Sequence, residues 1–251
     1  MTHKEHLYYP ESLKPSEIIM ATTSNYKLSL LQKALEKMGR TSRATPMLTK
    51  TSIDEKMWER AFMEGPLGKN GHLSHFPVAL AWLKAEHARQ SLHPSTPILA
   101  TDTAKIVGEK LLGKPSSPEN AVKMILDQIG QEIIQIAGTA INTKEGEWVF
   151  GLTQMKIQAK DVSEERVKPY IKESHEAILD VAGAIPIFDP KAVNLFYKPP
   201  FQATATCYNI NDMDNETEKT WLIDNSDMVE LIMAIYGCSP SLLEMMFENL
   251  E

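Results

Sequence analysis

The chain changes hydrophobic period several times, and each change marks an element. Residues 1–16 are a loose polar lead-in, followed by the short apolar run "EIIMA" (17–21), which predicts a strand. The polar turn "TTSN" then leads into a helical spacing. Leu28, Leu31, Leu35 and Met38 share one face, Gly39 ends the pattern, and Ser24 or Asn25 serves as N-cap. "TKTSIDEKMWERAF" becomes helix-like towards its end, whereas "EGPLGKNGHLSHFP" reads as a loop rich in Gly, Pro and Asn. A second long helix is predicted from about Val78 to Gln90, broken by "LHPSTP", after which "ILA" opens a strand. "SSPENAVKMILDQIG" carries the clearest helix signal. Ser117 caps, Pro118 takes the first helical position, Val122, Ile125, Leu126 and Ile129 form a stripe, and Gly130 terminates. "EIIQIAGTAIN" and "WVFGLTQMKIQAK" flank "TKEGE" as a hairpin. "SEERVKPYIKES" reads as a short helix that Pro169 kinks, and "ILDVAGAIPIFDP" as an apolar stretch broken by Gly and Pro. Two further helices are predicted around "DMVELIMAIYG" and "SPSLLEMMFENL". Helices and strands interleave without internal repeats, so the class is α/β.

Length and charge narrow the picture. A chain of 251 residues makes one large domain or two small lobes with a sizeable core. Its net charge of -7 argues against a nucleic-acid binder, which needs a basic face, but leaves room for a single-nucleotide pocket built on a few lysines. Cys207 and Cys238 are too far apart for a zinc motif or a disulfide framework, which suggests a reducing cytoplasm. The start "MTHKEHLYYPESLK" lacks the apolar centre of a signal peptide, and no apolar run reaches the roughly 20 residues of a membrane span, so no membrane partner is expected.

Several suggestive patterns fail. "GPLGKNG" lacks the spacer of a phosphate loop, and Asn70 stands where a magnesium-binding hydroxyl is required. Asp212, Asp214, Glu216 and Glu218 alternate like a calcium loop, but Thr217 replaces the glycine and Ile223 the final carboxylate. His72, His75, His87 and His93 have no helical metal spacing and read as surface histidines.

One constellation survives. "ATTSNYK" joins a strand to a helix N-terminus, where backbone N–H groups and the helix dipole favour an anion; Thr22 and Ser24 add hydroxyls and Lys27 a charge. "IDE" supplies Asp54 and Glu55, and Lys84 sits on the second long helix. "ILATDTAKIVGEKLLGKP" takes Asp102 to the end of a strand and presents Lys114 beyond a hairpin-like stretch. Carboxylate oxygens suit magnesium, and lysines neutralise phosphate. Each piece also has a plain structural reading: a helix cap for Ser24, a turn cap for Asp102, a turn for Asp54 and Glu55, and a solvated face for Lys27 and Lys84.

Taken together, these stretches resemble the Maf family of nucleoside triphosphate pyrophosphatases, relatives of the ITP pyrophosphatase fold. The resemblance runs through "ATTSNYKLSLLQKALEKMG", "TSIDEK", "WLKAEHA", "ATDTAKIVGEKLLGKP", "AVKMILDQIG", "AGTAI" and "DVAGAIPIFDP", in order, from about residue 18 to 190. Its densest part is 98–141. It departs at Asn25, Tyr26 and Lys27, where the family has a proline and two arginines, and at Phe188, where it has a glutamine. The segment "KAVNLFYKPPFQATATCYN" replaces a glycine-rich stretch.

The resemblance implies a single domain over 17–251, with a mixed twisted sheet, flanking helices and two lobes around a nucleotide cleft. It also implies hydrolysis of a nucleoside triphosphate to monophosphate and pyrophosphate with Mg2+ or Mn2+, by a homodimer. On this reading Asp102 activates water, Glu55 and Asp102 hold the metal, and Lys114 stabilises charge. Thr22, Ser24, Lys27 and Lys84 bind phosphates, and Phe188 lies against the base. The departures keep two alternatives open: a nucleotide-binding regulator without turnover, and an ITP-type enzyme acting on purines.

Overall fold

The computed structural model describes residues 19–22, 24–38, 47–48, 53–69, 71–91, 98–144, 147–174, 178–187, 189–209 and 221–224. The polar lead-in, the acidic run 212–218, the two C-terminal helix predictions and Phe188 lie outside them.

An eight-stranded sheet organises the molecule. Its strands are β1 (Ile19–Met20), β2 (Met47–Leu48), β3 (Ile98–Val107), β4 (Lys110–Leu112), β5 (Glu132–Lys144), β6 (Glu147–Ala159), β7 (Tyr197–Asn209) and β8 (Trp221–Asp224). The order is β2-β1-β3-β5-β6-β7-β8, with β4 folded back onto β3. The first three strands of that order run parallel, and from β3 onwards each neighbour is antiparallel. This is the mixed sheet expected of the class. The helices are α1 (Asn25–Lys37), α2 (Glu55–Glu64), α3 (Pro66–Lys69), α4 (His75–Ser91), α5 (Pro118–Gln128), α6 (Glu164–Glu173) and α7 (Pro190–Phe196).

The local signals account for most of these boundaries. Ser24, Asp54, Ser117 and Asp189 each accept a backbone N–H from the first turn of the helix they precede, satisfying one orphan donor apiece. Gly130, with φ 71°, stops α5 in a conformation that costs glycine nothing. Elsewhere the structure differs from the sequence reading. β3 does not end near Asp102 but runs straight through it to Val107. The loop predicted before Val78 contains α3 and the first turn of α4. On α5 the buried face is Ala121, Ile125 and Gln128, and Leu126 is left exposed, because the helix turns Gln128 rather than Leu126 towards the cleft wall described below. β7 was hidden by Pro199 and Pro200. They fall where its register against β6 shifts, between the pairs Lys156–Gln202 and Gln158–Lys198, and irregular pairing is where strands admit proline.

Strand alternation divides the core in two. Even-numbered β3 residues Ile98 and Ala100, with Ala140 and Trp148, pack under Val78, Ala81 and Ala85 of α4. Odd-numbered Val107, Ile133, Met155 and Ile157 pack against α5, α6 and α7 through Ile125, Val167 and Phe196. These are two core clusters, one on each face of the sheet. Gly138 sets the distance on the α4 side: a Cβ there would lie 2.3 Å from the backbone of Pro77 and Val78. On the other side Lys105 is fully buried, its Nζ donating to Ile185 O at 2.8 Å and to Tyr197 Oη at 2.7 Å.

Two outcomes follow from this packing. Gly138→Ala forces the N-terminal turn of α4 off the sheet and should cost about 1–3 kcal/mol, the usual range for overpacking, measured by urea unfolding. Burial pulls Lys105 down from 10.5 to about 7, so folding penalises its charged form fully below pH 7 and less and less up to pH 10.5. The unfolded chain binds the extra proton in that window, so the wild-type protein should gain stability with rising pH relative to Lys105→Met, by at most about 1.4 kcal/mol per pH unit. Parallel pH dependences of the two unfolding free energies would contradict it.

Candidate active site

The sheet leaves a gap, and the predicted residues gather around it. β1 covers β3 only at Ile98 and Leu99, and β4 covers it only at Lys105–Val107. Among the described residues no strand pairs with that edge of β3 from Ala100 to Ala104. Asp102 stands in the middle of the gap. A cleft of about 960 Å³ opens there, bordered by Thr22, Ser24, Lys27, Glu55, Lys84, Asp102 and Lys114 together. Every site residue expected from the sequence and described in the structure therefore meets in one place.

Each reaches it from a different element. The chain leaving β1 donates Ala21 N to Leu99 O at 2.8 Å and then turns away. Thr22 Oγ1 accepts Ser24 N at 3.1 Å and Ser24 Oγ accepts Lys27 N at 3.3 Å, so both oxygens are spent on shaping the turn while their hydroxyl protons stay available as donors. Lys27 Nζ donates to Thr101 O at 3.0 Å, pinning the start of α1 to the open edge of β3. Lys114, exposed in its turn, is held from behind: Gly113 O accepts Gly183 N at 2.9 Å.

Asp102 is not the turn cap of the plain reading, since it lies mid-strand at 8 % exposure. Nor is Lys114 its ionic partner. That partner is Lys84, whose ammonium bonds Asp102 Oδ1 and, at 2.8 Å, Glu55 Oε1. α4 can deliver it because Asp102 is in register with Gly138, the residue that admits the helix close to the sheet. Burial by itself pulls the Lys84 ammonium down, but Asp102 and Glu55 more than offset this and hold it above its ordinary value. Burial likewise pushes Glu55 up, yet Lys84, with Lys114 and Lys27 further off, brings it below the usual carboxylate value.

Among the described residues no three histidine, cysteine or carboxylate side chains converge as a ready-made metal set. His72 is exposed, and His75 and His87 are half-buried.

Sequence reasoning missed three features of the cleft. Glu59 borders it one turn after Glu55, and burial raises its carboxyl; the i, i+4 spacing on α2 was the available signal. Gln135 of β5 also borders it. The third is a wall turned by two left-handed residues, of which only the non-glycine Ala184 is strained. Gly183 and Ala184 both take left-handed backbone, with φ 64° and 59°, and Gln128 Nε2 holds Gly183 O at 2.6 Å. A Cβ on Gly183 would come within 2.8 Å of Lys105 Cδ, so the buried lysine and the glycine require each other.

Residues 17–198 match the family model described as Maf-like protein. The chain belongs to the Maf family. Curated relatives of this Maf protein include a 7-methyl-GTP pyrophosphatase of Pseudomonas putida, 32 % identical over 42 % of this chain and 54 % of the relative. A dTTP/UTP pyrophosphatase of a Thermoanaerobacter species is 24 % identical over 59 % of this chain and 76 % of the relative. A dTTP/UTP pyrophosphatase of a Geobacillus species is 31 % identical over 42 % and 54 %. The match thus spans about half the length of two of these relatives. No helix among the described residues is long and apolar enough to cross a membrane.

The shared lysine makes a specific stability prediction. Lys84→Met leaves Asp102 and Glu55 without their common cation, and losing one partner of a buried ion pair costs about 3–5 kcal/mol. The melting temperature of Lys84→Met should fall accordingly. An unchanged melting temperature in the variant would show that Lys84 only packs its aliphatic stem.

Proposed function

We propose that this Maf protein hydrolyses nucleoside triphosphates to the monophosphate and pyrophosphate. The observation that supports this best is the Lys84 ammonium shared by Asp102 and Glu55 at an open strand edge, with Lys27 and Lys114 bordering the same cleft. That is a carboxylate centre beside a cationic cradle, and phosphoryl transfer requires little more than positioning and charge stabilisation. The names of the relatives agree with it.

Asp102 spends Oδ1 on Lys84, and Oδ2 is the oxygen that takes a proton from water. The water oxygen bonds to the α-phosphorus, the bond from that phosphorus to the α,β-bridging oxygen breaks, and pyrophosphate leaves with the electron pair. Lys114 and Lys27 neutralise charge on the phosphate oxygens, and the hydroxyls of Thr22 and Ser24 donate to them. Glu55 and Asp102 are the residues that would hold Mg2+ or Mn2+. Two carboxylates without a third protein ligand fit an ion that takes the rest of its shell from phosphate and water. Such an ion supplies further neutralisation of phosphate charge. A homodimer belongs to the same proposal, and light scattering measures it directly.

The decisive experiment is pyrophosphate release from UTP, dTTP, GTP, ITP and 7-methyl-GTP with magnesium or manganese. Asp102→Asn should lower turnover at least ~100-fold while leaving the fold intact, as expected for loss of a general base. Near-full turnover in that variant removes Asp102 from the mechanism. Binding of nucleotide without turnover by the wild-type protein would favour the regulator reading, and preference for ITP the purine reading.

A further inference from the structure

One polar group in the cleft has no part in the phosphate chemistry. Gln135 is only 4 % exposed and borders the cleft, and its Oε1 is buried without a hydrogen-bond partner among the described residues. An unpaired buried amide oxygen is destabilising, so a carboxamide in this position is suited to a partner that arrives from solution. Its surroundings differ from those of Asp102. Gln135 is in register with Lys105, whose ammonium is already committed to Ile185 O and Tyr197 Oη. The segment that supplies the nearby wall gives the cleft the apolar Leu179, Val181, Ala182, Ile185 and Ile187, together with one carboxylate, Asp180. A mostly apolar wall with a carboxamide and a carboxylate, and with none of the cleft's lysines on it, suits a flat heterocycle whose edge carries an N–H, and suits a phosphate poorly.

The spacing agrees. Asp102 is in register with Gly138, and Gln135 lies three residues further along β5, about 10 Å along the strand and on the opposite face, so the two side chains enter the cleft from different faces of the sheet. That is the scale on which a nucleobase stands away from its α-phosphate. We propose that Gln135 is a specificity-determining residue that reads the nucleobase, with Oε1 accepting an N–H from the base edge. The proposal rests on the pyrophosphatase reading above and adds to it the residue that recognises the nucleoside.

The test compares the wild-type protein with Gln135→Leu and Gln135→Glu on UTP, dTTP, GTP and 7-methyl-GTP with magnesium, using tripolyphosphate as a competitor that lacks a base. Gln135→Leu should lose about tenfold or more in kcat/KM on the best substrate, as expected for one hydrogen bond. The spread among the four bases should narrow, and inhibition by tripolyphosphate should stay the same. An unchanged base ranking, or a loss of tripolyphosphate inhibition in parallel, overturns the assignment. Should neither variant fold, 4-thio-UTP is photocrosslinked to the wild-type protein: attachment to the β5 peptide containing Gln135, displaced by UTP, supports the proposal, and attachment only elsewhere overturns it. Crosslinking requires no turnover. A wild-type protein that cleaves none of the triphosphates therefore defeats the pyrophosphatase reading, while the crosslink still decides the role of Gln135.

Discussion

A carboxylate in the middle of a ten-residue strand is stable only if a cation reaches it, and here the cation comes from the helix packed on the same face of the sheet. Desolvating an unpaired carboxylate is costly enough that the group would neutralise instead. Lys84 removes that cost for Asp102 and for Glu55 together, which ties α4, β3 and the start of α2 to one ammonium. Gly138 makes the geometry possible, because any side chain there would collide with the backbone of Pro77 and Val78 and hold α4 away.

The gap in the sheet follows from the same arrangement. β3 is paired along its whole length by β5, so its backbone is fixed, yet its other edge is covered only at the two ends. Side chains from both faces of the strand can therefore reach the cleft. Asp102 meets α4 from the even face, while Thr101 and Thr103 border the cleft from the odd face, the same face that carries Lys105. Such a site is held by a rigid scaffold while its polar groups remain open to a ligand.

The odd face of the sheet controls the opposite wall by a different device. Lys105, Gln128 and Gly113 all bond to the stretch Gly183–Ile185, two of whose residues have left-handed backbone. The strain at the non-glycine Ala184 persists only where the surroundings over-determine it. The turn carrying Lys114 is fastened to the same stretch, so the cationic end of the cleft and its apolar wall are built as one unit.

Local chemistry was legible in the sequence where it acts over a few residues. Ser24 and Ser117 cap helices by bonding the next turn, Pro118 and Gly130 bound α5, and the β5–β6 hairpin follows from its alternation, whereas Asp54, read as part of a turn, proved to cap α2. The candidate residues Thr22, Ser24, Lys27, Glu55, Lys84, Asp102 and Lys114 were also readable, since their types and order resemble one family. What the sequence could not carry was pairing across distance. A lysine on a helix face looks solvated until Gly138 draws that helix onto the sheet, and Asp102 looks like a turn cap until β5 holds its strand straight. Lys105 and Gln135 sit in apolar runs with nothing local to mark them; they gain meaning only because register sets them side by side, with Tyr197, 92 residues along the chain, closing over one and the cleft opening beside the other. Short-range hydrogen bonding is written residue by residue, whereas the balance between desolvation and ion pairing depends on which distant groups the fold brings within reach.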